Sequence, residues 1–177
     1  MSIMNKSPTL NDVSGNDSIS IAEFNAFTGG GIYIREWQKY IQGSSRHAGW
    51  NGWAAVFGAQ WFFYRKLYIQ GVISAVIEQL MLASIFLFID FWKSFLGIEN
   101  TLLYLLSSCF FLIVRILIGY WGNIAYYKKA VSVIRKTDLL NLDNEAHLRV
   151  IKSEGGINFP AFLLAYAAYG AIIHFMK

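Results

Sequence analysis

The chain of 177 residues is 55% hydrophobic and only 15% charged, with 15 Lys and Arg against 11 Asp and Glu, a net charge of +4 and a mean hydropathy of +0.40. A soluble domain of this size carries about 25% charged residues and needs them to coat its surface. A disordered chain is excluded, and an integral membrane protein is what the composition fits.

Residues 1–21 are rich in Ser, Asn and Asp, have no apolar signal-peptide core, and read as a flexible cytoplasmic tail. Residues 22–50 read as a cytoplasmic or interfacial amphipathic region. In it, Phe24 to Phe27 is followed by Thr28-Gly29-Gly30-Gly31, a hinge rather than a phosphate loop because no Gly-Lys-Ser/Thr follows. From Ile32 to Ile41, Tyr33, Trp37, Tyr40 and Ile41 recur at helical spacing, and Gly43 closes the run.

Residues 51–177 form the expected membrane domain. The apolar run Trp53 to Tyr64 spans roughly 18 Å as a helix, short of the ~30 Å hydrocarbon core, so it is expected to lie in the interface or re-enter. Residues 67–92 are long enough to cross with tilt. Residues 102–122 make a second span, and with no proline before Lys136 the helix is expected to continue as a basic stem. Residues 137–157 form a mixed-charge cytoplasmic connector with a short helix from Asn144 to Lys152. Residues 159–176 either just span or re-enter. The fold class expected is all-α: a helical integral membrane protein with two or three transmembrane helices plus short re-entrant or interfacial helices.

Basic residues give the orientation. Arg65 and Lys66 precede the first span, and Lys128, Lys129, Arg135 and Lys136 follow the second, whereas the intervening loop has little positive charge. The positive-inside rule therefore puts the N-terminus and the connector in the cytoplasm. Trp53, Trp61 and Tyr64 with Arg65 and Lys66, and Trp121, Tyr126 and Tyr127 with Lys128 and Lys129, are expected at headgroup depth, where aromatic rings and basic groups meet the lipid surface. The excess of positive charge thus reports topology, and nucleic acid is not an expected partner.

Gly49-Trp50-Asn51-Gly52-Trp53-Ala54 and Gly156-Ile157-Asn158-Phe159-Pro160-Ala161 share the pattern G-x-N-x-x-A. Asn is a good helix N-cap and Pro suits the first turn, so both apolar segments are expected to start as helices in the same way.

The stretch from Gly49 to Tyr68, reading GWNGWAAVFGAQWFFYRKLY, resembles the family catalogued as domain of unknown function 2628, whose members look like W-N-W-A-A-F-x-F-G-P-x-W-x-x-Y-R-K-x-Y. Gly122-Asn123-Ile124-Ala125-Tyr126-Tyr127 is similar to that family's second block, and Gly155 with the apolar run behind it also fits. Ala59 stands where the family pattern has proline. The resemblance covers roughly residues 24–170 and implies a small bacterial inner-membrane protein; it supplies no activity, catalytic residue or cofactor.

Glu78, Asp90 and Arg115 are ionisable residues in apolar spans, where charge is costly and a partner is expected. At roughly 16 and 9 Å from the cytoplasmic ends of their helices, Glu78 and Arg115 are close enough in depth to pair. Gln79 and Ser108 are candidate hydrogen-bond partners for that pair, and Asp90 belongs at the outer interface beside Trp92. His47, His147 and His174 form no i, i+4 pair, so spacing supports no zinc site, and no nucleophile–base motif appears. Cys109 reads as a small packing residue. No catalytic residue, cofactor or metal is expected. The function expected is that of a non-enzymatic inner-membrane protein whose partners are the bilayer and either its own copies in a homo-oligomer or a membrane or cytoplasmic protein. A small ion-conducting oligomer, an immunity or stress protein that neutralises a membrane-active toxin, and lastly a lipid-headgroup enzyme are the alternatives.

Overall fold

The computed structural model describes residues 19–42, 44–96 and 100–175, without the side chains of 96, 100 and 172–175. The tail before residue 19, Gly43 and the side chain of His174 lie outside the described residues. Among those residues the chain is all-α, with eight helices: α1 (Ile21–Thr28), α2 (Ile32–Ile41), α3 (Gly52–Phe57), α4 (Ala59–Tyr64), α5 (Tyr68–Leu96), α6 (Asn100–Asp138), α7 (Asn144–Glu154) and α8 (Phe159–Phe175).

Helices α5 and α6 contain 29 and 39 residues, so at about 1.5 Å per residue both exceed the ~30 Å hydrocarbon thickness. A core helix of a soluble protein would be mostly covered, whereas only 22% of the most apolar stretch of each is buried. Val72, Val76, Leu80 and Leu87 of α5 and Leu105, Leu112 and Leu117 of α6 point outward. The buried stripes are narrower and less apolar: Gly71, Ser74, Glu78 and Met81 on α5, and Leu103, Ser107 and Ile118 on α6. An apolar exterior around a partly polar packed seam is the inversion that a hydrocarbon solvent favours.

The described residues of Met1–Gly49 and Tyr126–Gly156 form one compact unit, and those of Trp50–Ala125 and Ile157–Lys177 a second. In the first, α1 packs on α2 and α7. Ser20 and Ile21, which composition assigns to the tail, begin α1 instead. Ser20 Oγ accepts the Glu23 N–H at 3.2 Å and the Glu23 carboxylate accepts the Ser20 N–H at 2.6 Å, a reciprocal cap that satisfies two otherwise unpaired donors. The glycine run ends α1 and admits α2: Gly29 has φ 73° and Gly30 φ 151°, conformations open to glycine but strained for other residues. The core is aromatic, with Phe27, Trp37 and Tyr126 buried alongside Ile134 and Ile151. Trp37 lies edge-on to Phe24 and Tyr126, at ring separations of 5.4 and 5.6 Å.

In the second unit the run Trp53 to Tyr64 is not one helix. It breaks at Gly58, with φ 53° and ψ −125°, into α3 and α4. The break forms although Ala59 replaces the proline of the family pattern, because the glycine supplies the required backbone freedom. Helix α4 packs on α5 and α8. Between α4 and α5 the Leu67 N–H returns to Phe62 O at 2.8 Å, and Lys66 takes the left-handed conformation at φ 58°.

Candidate functional site

The G-x-N-x-x-A echo is structural. Asn51 Oδ1 accepts the Ala54 N–H at 2.9 Å and Asn158 Oδ1 accepts the Ala161 N–H at 3.1 Å, so each Asn caps its helix at the same position. Each cap is also seated on a neighbour. The Asn51 N–H reaches Gly119 O at 3.2 Å, and the Asn158 N–H reaches Tyr64 O at 2.7 Å while its amide donates to the Tyr68 hydroxyl at 2.8 Å.

Two glycines of α6 receive the first motif. A Cβ on Gly119 would strike the Trp50 ring, whose Nε1–H donates to Ile116 O at 3.2 Å. A Cβ on Gly122 would come within 2.8 Å of the Ala54 methyl and 3.2 Å of the Trp61 ring. Phe62 meets Trp121 at a ring separation of 4.9 Å. The two motif blocks of the sequence are therefore the two sides of one packed contact, held close by small residues.

The break at Gly58 lies against the ion pair. Arg115 Nη2 stands 3.5 Å from Glu78 Oε2, joining α6 to α5. Glu78 Oε1 accepts two further bonds, from the Ala59 N–H at 2.8 Å and from Ser74 Oγ at 2.9 Å. Helix α4 begins at Ala59, so the carboxylate satisfies one of the N–H groups that a first helical turn leaves unpaired. Arg115 also lies over the Phe111 ring, 5.0 Å from its centroid. The Glu78 side chain is 1% exposed and Arg115 15%, so both charges are withdrawn from the surroundings. A Cβ on Gly58 would collide with Glu78 Oε1 and Arg115 Nη1, which makes this glycine necessary for space as well as for its φ.

The expected hydrogen-bond partners do not serve. Ser108 Oγ instead donates to Tyr104 O of its own helix at 2.8 Å, and both amide atoms of Gln79 are buried without a hydrogen-bond partner. Ser74 takes the role, and its position one helical turn before Glu78 was a readable signal. Gly58 was visible in the sequence only as a glycine of the first motif block.

The residues expected at headgroup depth divide. Trp53 is 64% exposed and stacks on Phe57, and Lys128 is also exposed. Tyr64, Arg65, Lys66, Trp121, Tyr127 and Lys129 are part-buried, with Arg65 over the Tyr64 ring at 5.5 Å. Trp61 and Tyr126 are covered by protein: Trp61 is buried against Phe62 and α6, and Tyr126 is enclosed by Phe27, Tyr33 and Trp37. A large ring in an apolar run marks an interface or a core equally well, and only tertiary packing decides. Cys109 is exposed on α6 rather than packed, and Asp90 is exposed. Glu23, Asp138 and His147, in the first unit, are the described side chains grouped closely enough to hold a metal ion.

A family profile described as Protein of unknown function (DUF2628) matches residues 35–131, which include both motif blocks, Gly58, Glu78 and Arg115. No curated protein and no solved structure matches the chain.

Proposed function

The chain belongs to the family described as Protein of unknown function (DUF2628), and from this premise we propose that it is a non-enzymatic protein of the bacterial inner membrane that acts by association, with a protein partner or with copies of itself. The observation that carries this reading is the way Glu78 and Arg115 are spent. Inside one protomer they hold α4, α5 and α6 together, 1% and 15% exposed, rather than facing a path between protomers. Charges used in this manner fix helix register. That arrangement favours a scaffold over a conducting oligomer.

The first unit supplies a surface for association. Its core is its own, built from α1, α2, α7 and the end of α6, and Arg35, Lys128, Arg135 and Lys136 lie exposed on it. By the positive-inside rule this unit and the N-terminus are cytoplasmic.

The test is made in native membranes. Cysteine at position 35 or 136, in a Cys109→Ala background, is crosslinked and the particle mass is measured after extraction with lipid. A single discrete higher-mass species, lost on Lys128→Glu with Arg135→Glu, is the expected result. A monomer that carries ions across liposomes, with flux abolished by Glu78→Ala, would overturn the reading. A reporter fused at residue 140 is expected to be cytoplasmic.

A further inference from the structure

We propose that Glu23, Asp138 and His147 bind one divalent transition-metal ion, and that Zn2+ is the ion their chemistry fits. The three residues come from the first turn of α1, the last position of α6 and the first turns of α7, and their ligand atoms all lie within 4.8 Å of one another. Nothing local in the sequence announces the group, since Glu23 and His147 are 124 positions apart. The fold alone assembles it.

The spacing suits a small ion. His147 Nε2 is 2.8 Å from Glu23 Oε1 and 3.5 Å from Asp138 Oδ1. Around zinc, with ligand bonds of about 2.0–2.1 Å, the donors of a tetrahedron stand about 3.3 Å apart. The two distances bracket that edge and the third, between the two carboxylates, is within 4.8 Å, so entry of the ion requires these side chains to shift by about 0.5 Å or more.

The ligands are also oriented. Glu23 uses Oε2 to accept the Ser20 N–H at 2.6 Å, which leaves Oε1 turned to His147. An outer hydrogen bond of this kind fixes a ligating carboxylate before the metal arrives. Glu23 and His147 are 15% and 14% exposed, whereas Asp138 is 50% exposed, so the group is closed on two sides and open on the third. Three protein ligands with a side open to water is the coordination of an accessible zinc site.

Charge and donor type narrow the ion. With neutral imidazole the group carries two negative charges, which a dication balances. Mg2+ and Ca2+ prefer all-oxygen shells, while one imidazole nitrogen with carboxylates suits Zn2+. Bound there, the ion clips α1, the end of α6 and α7 into one unit, and makes the stability of that unit dependent on metal.

The full-length, untagged protein in detergent is freed of metal and titrated with Zn2+ at neutral pH, by calorimetry and by thermal unfolding. Saturable uptake of one equivalent with a rise in Tm is expected, and Co2+ in place of Zn2+ is expected to give the visible absorption of a low-coordinate site. Asp138→Asn keeps the size of a half-exposed side chain, and His147→Gln keeps a hydrogen-bonding group; each is expected to weaken Zn2+ binding by roughly 100-fold or more, with circular dichroism unchanged. The proposal is overturned by an absence of saturable binding, by an affinity that neither variant alters, or by a loss of Tm in His147→Gln that is the same with and without Zn2+. That last result would leave a histidine–carboxylate hydrogen bond and no metal site.

Discussion

The backbone N–H of Ala59 donates to Glu78 Oε1 across 2.8 Å, so the carboxylate anchors the start of α4 to α5 on one oxygen while the other faces Arg115. One buried side chain thereby joins three helices. A charge in this position is tolerable only while each of its neighbours is in place.

Loss of one partner is therefore expected to harm the protein more than loss of both. Arg115→Met leaves an uncompensated buried carboxylate and should lower stability by about 3–5 kcal/mol, whereas Glu78→Leu with Arg115→Met should restore much of that loss. Reversible unfolding in mixed micelles measures the four corners of this cycle. Equal, additive losses in the two single variants would show that the pair is not coupled.

Gly58→Ala should be damaging although it adds one methyl group. The backbone there is left-handed, and the new carbon meets both members of the ion pair. Backbone strain of about 1–3 kcal/mol adds to a similar overpacking penalty. The Tm in detergent is expected to fall by more than for Gly170→Ala, where a Cβ meets nothing within 4 Å.

The two helix caps provide a matched pair. Asn51→Ala and Asn158→Ala each remove a side-chain acceptor for the N–H three residues on and should each cost about 1 kcal/mol. Asn158→Ala also removes the hydrogen bond that its amide donates to the Tyr68 hydroxyl. Aspartate at either position keeps the acceptor and is expected to recover the capping part of the loss.

What the sequence disclosed follows the range of the physics involved. The helices α2, α5, α6, α7 and α8 were legible from periodicity and apolar length, and α6 was expected to run past the membrane because no proline stops it. Helix α1 was missed: it is short, its Ser20 cap lies in polar sequence, and its apolar faces are completed by α2 and α7. The approach of Glu78 and Arg115 followed from depths near enough, at roughly 16 and 9 Å, for two long side chains to bridge. The buried settings of Trp61 and Tyr126 did not, since an aromatic ring in an apolar run carries no mark of what covers it. The convergence of Glu23, Asp138 and His147 needs the whole path of the chain and has no local trace.

Lys66 occupies a position at which helices commonly place glycine. Lys66→Gly is expected to raise stability by about 0.5–1 kcal/mol by relieving the left-handed strain, measured as a higher Tm. The same change removes a positive charge from the flank of α5. A reporter at residue 140 should consequently show a larger wrongly oriented fraction when Lys66→Gly is combined with Arg65→Gln.

Trp37→Ala removes the largest fully buried side chain of the first unit. A loss of about 3–5 kcal/mol is expected. Hydrogen exchange should speed up over α1, α2 and α7, the elements that share its core.

The contact from the Asn158 N–H to Tyr64 O also bears on how the protein is made. Ribosomes release a chain from its N-terminus at about 5–20 residues per second, and early parts fold first. Tyr64 and Tyr68 thus leave the ribosome several seconds ahead of Asn158, and α8 emerges to a landing already built. The contact between Asn158 and Tyr64 can therefore form in the order in which the chain is synthesised.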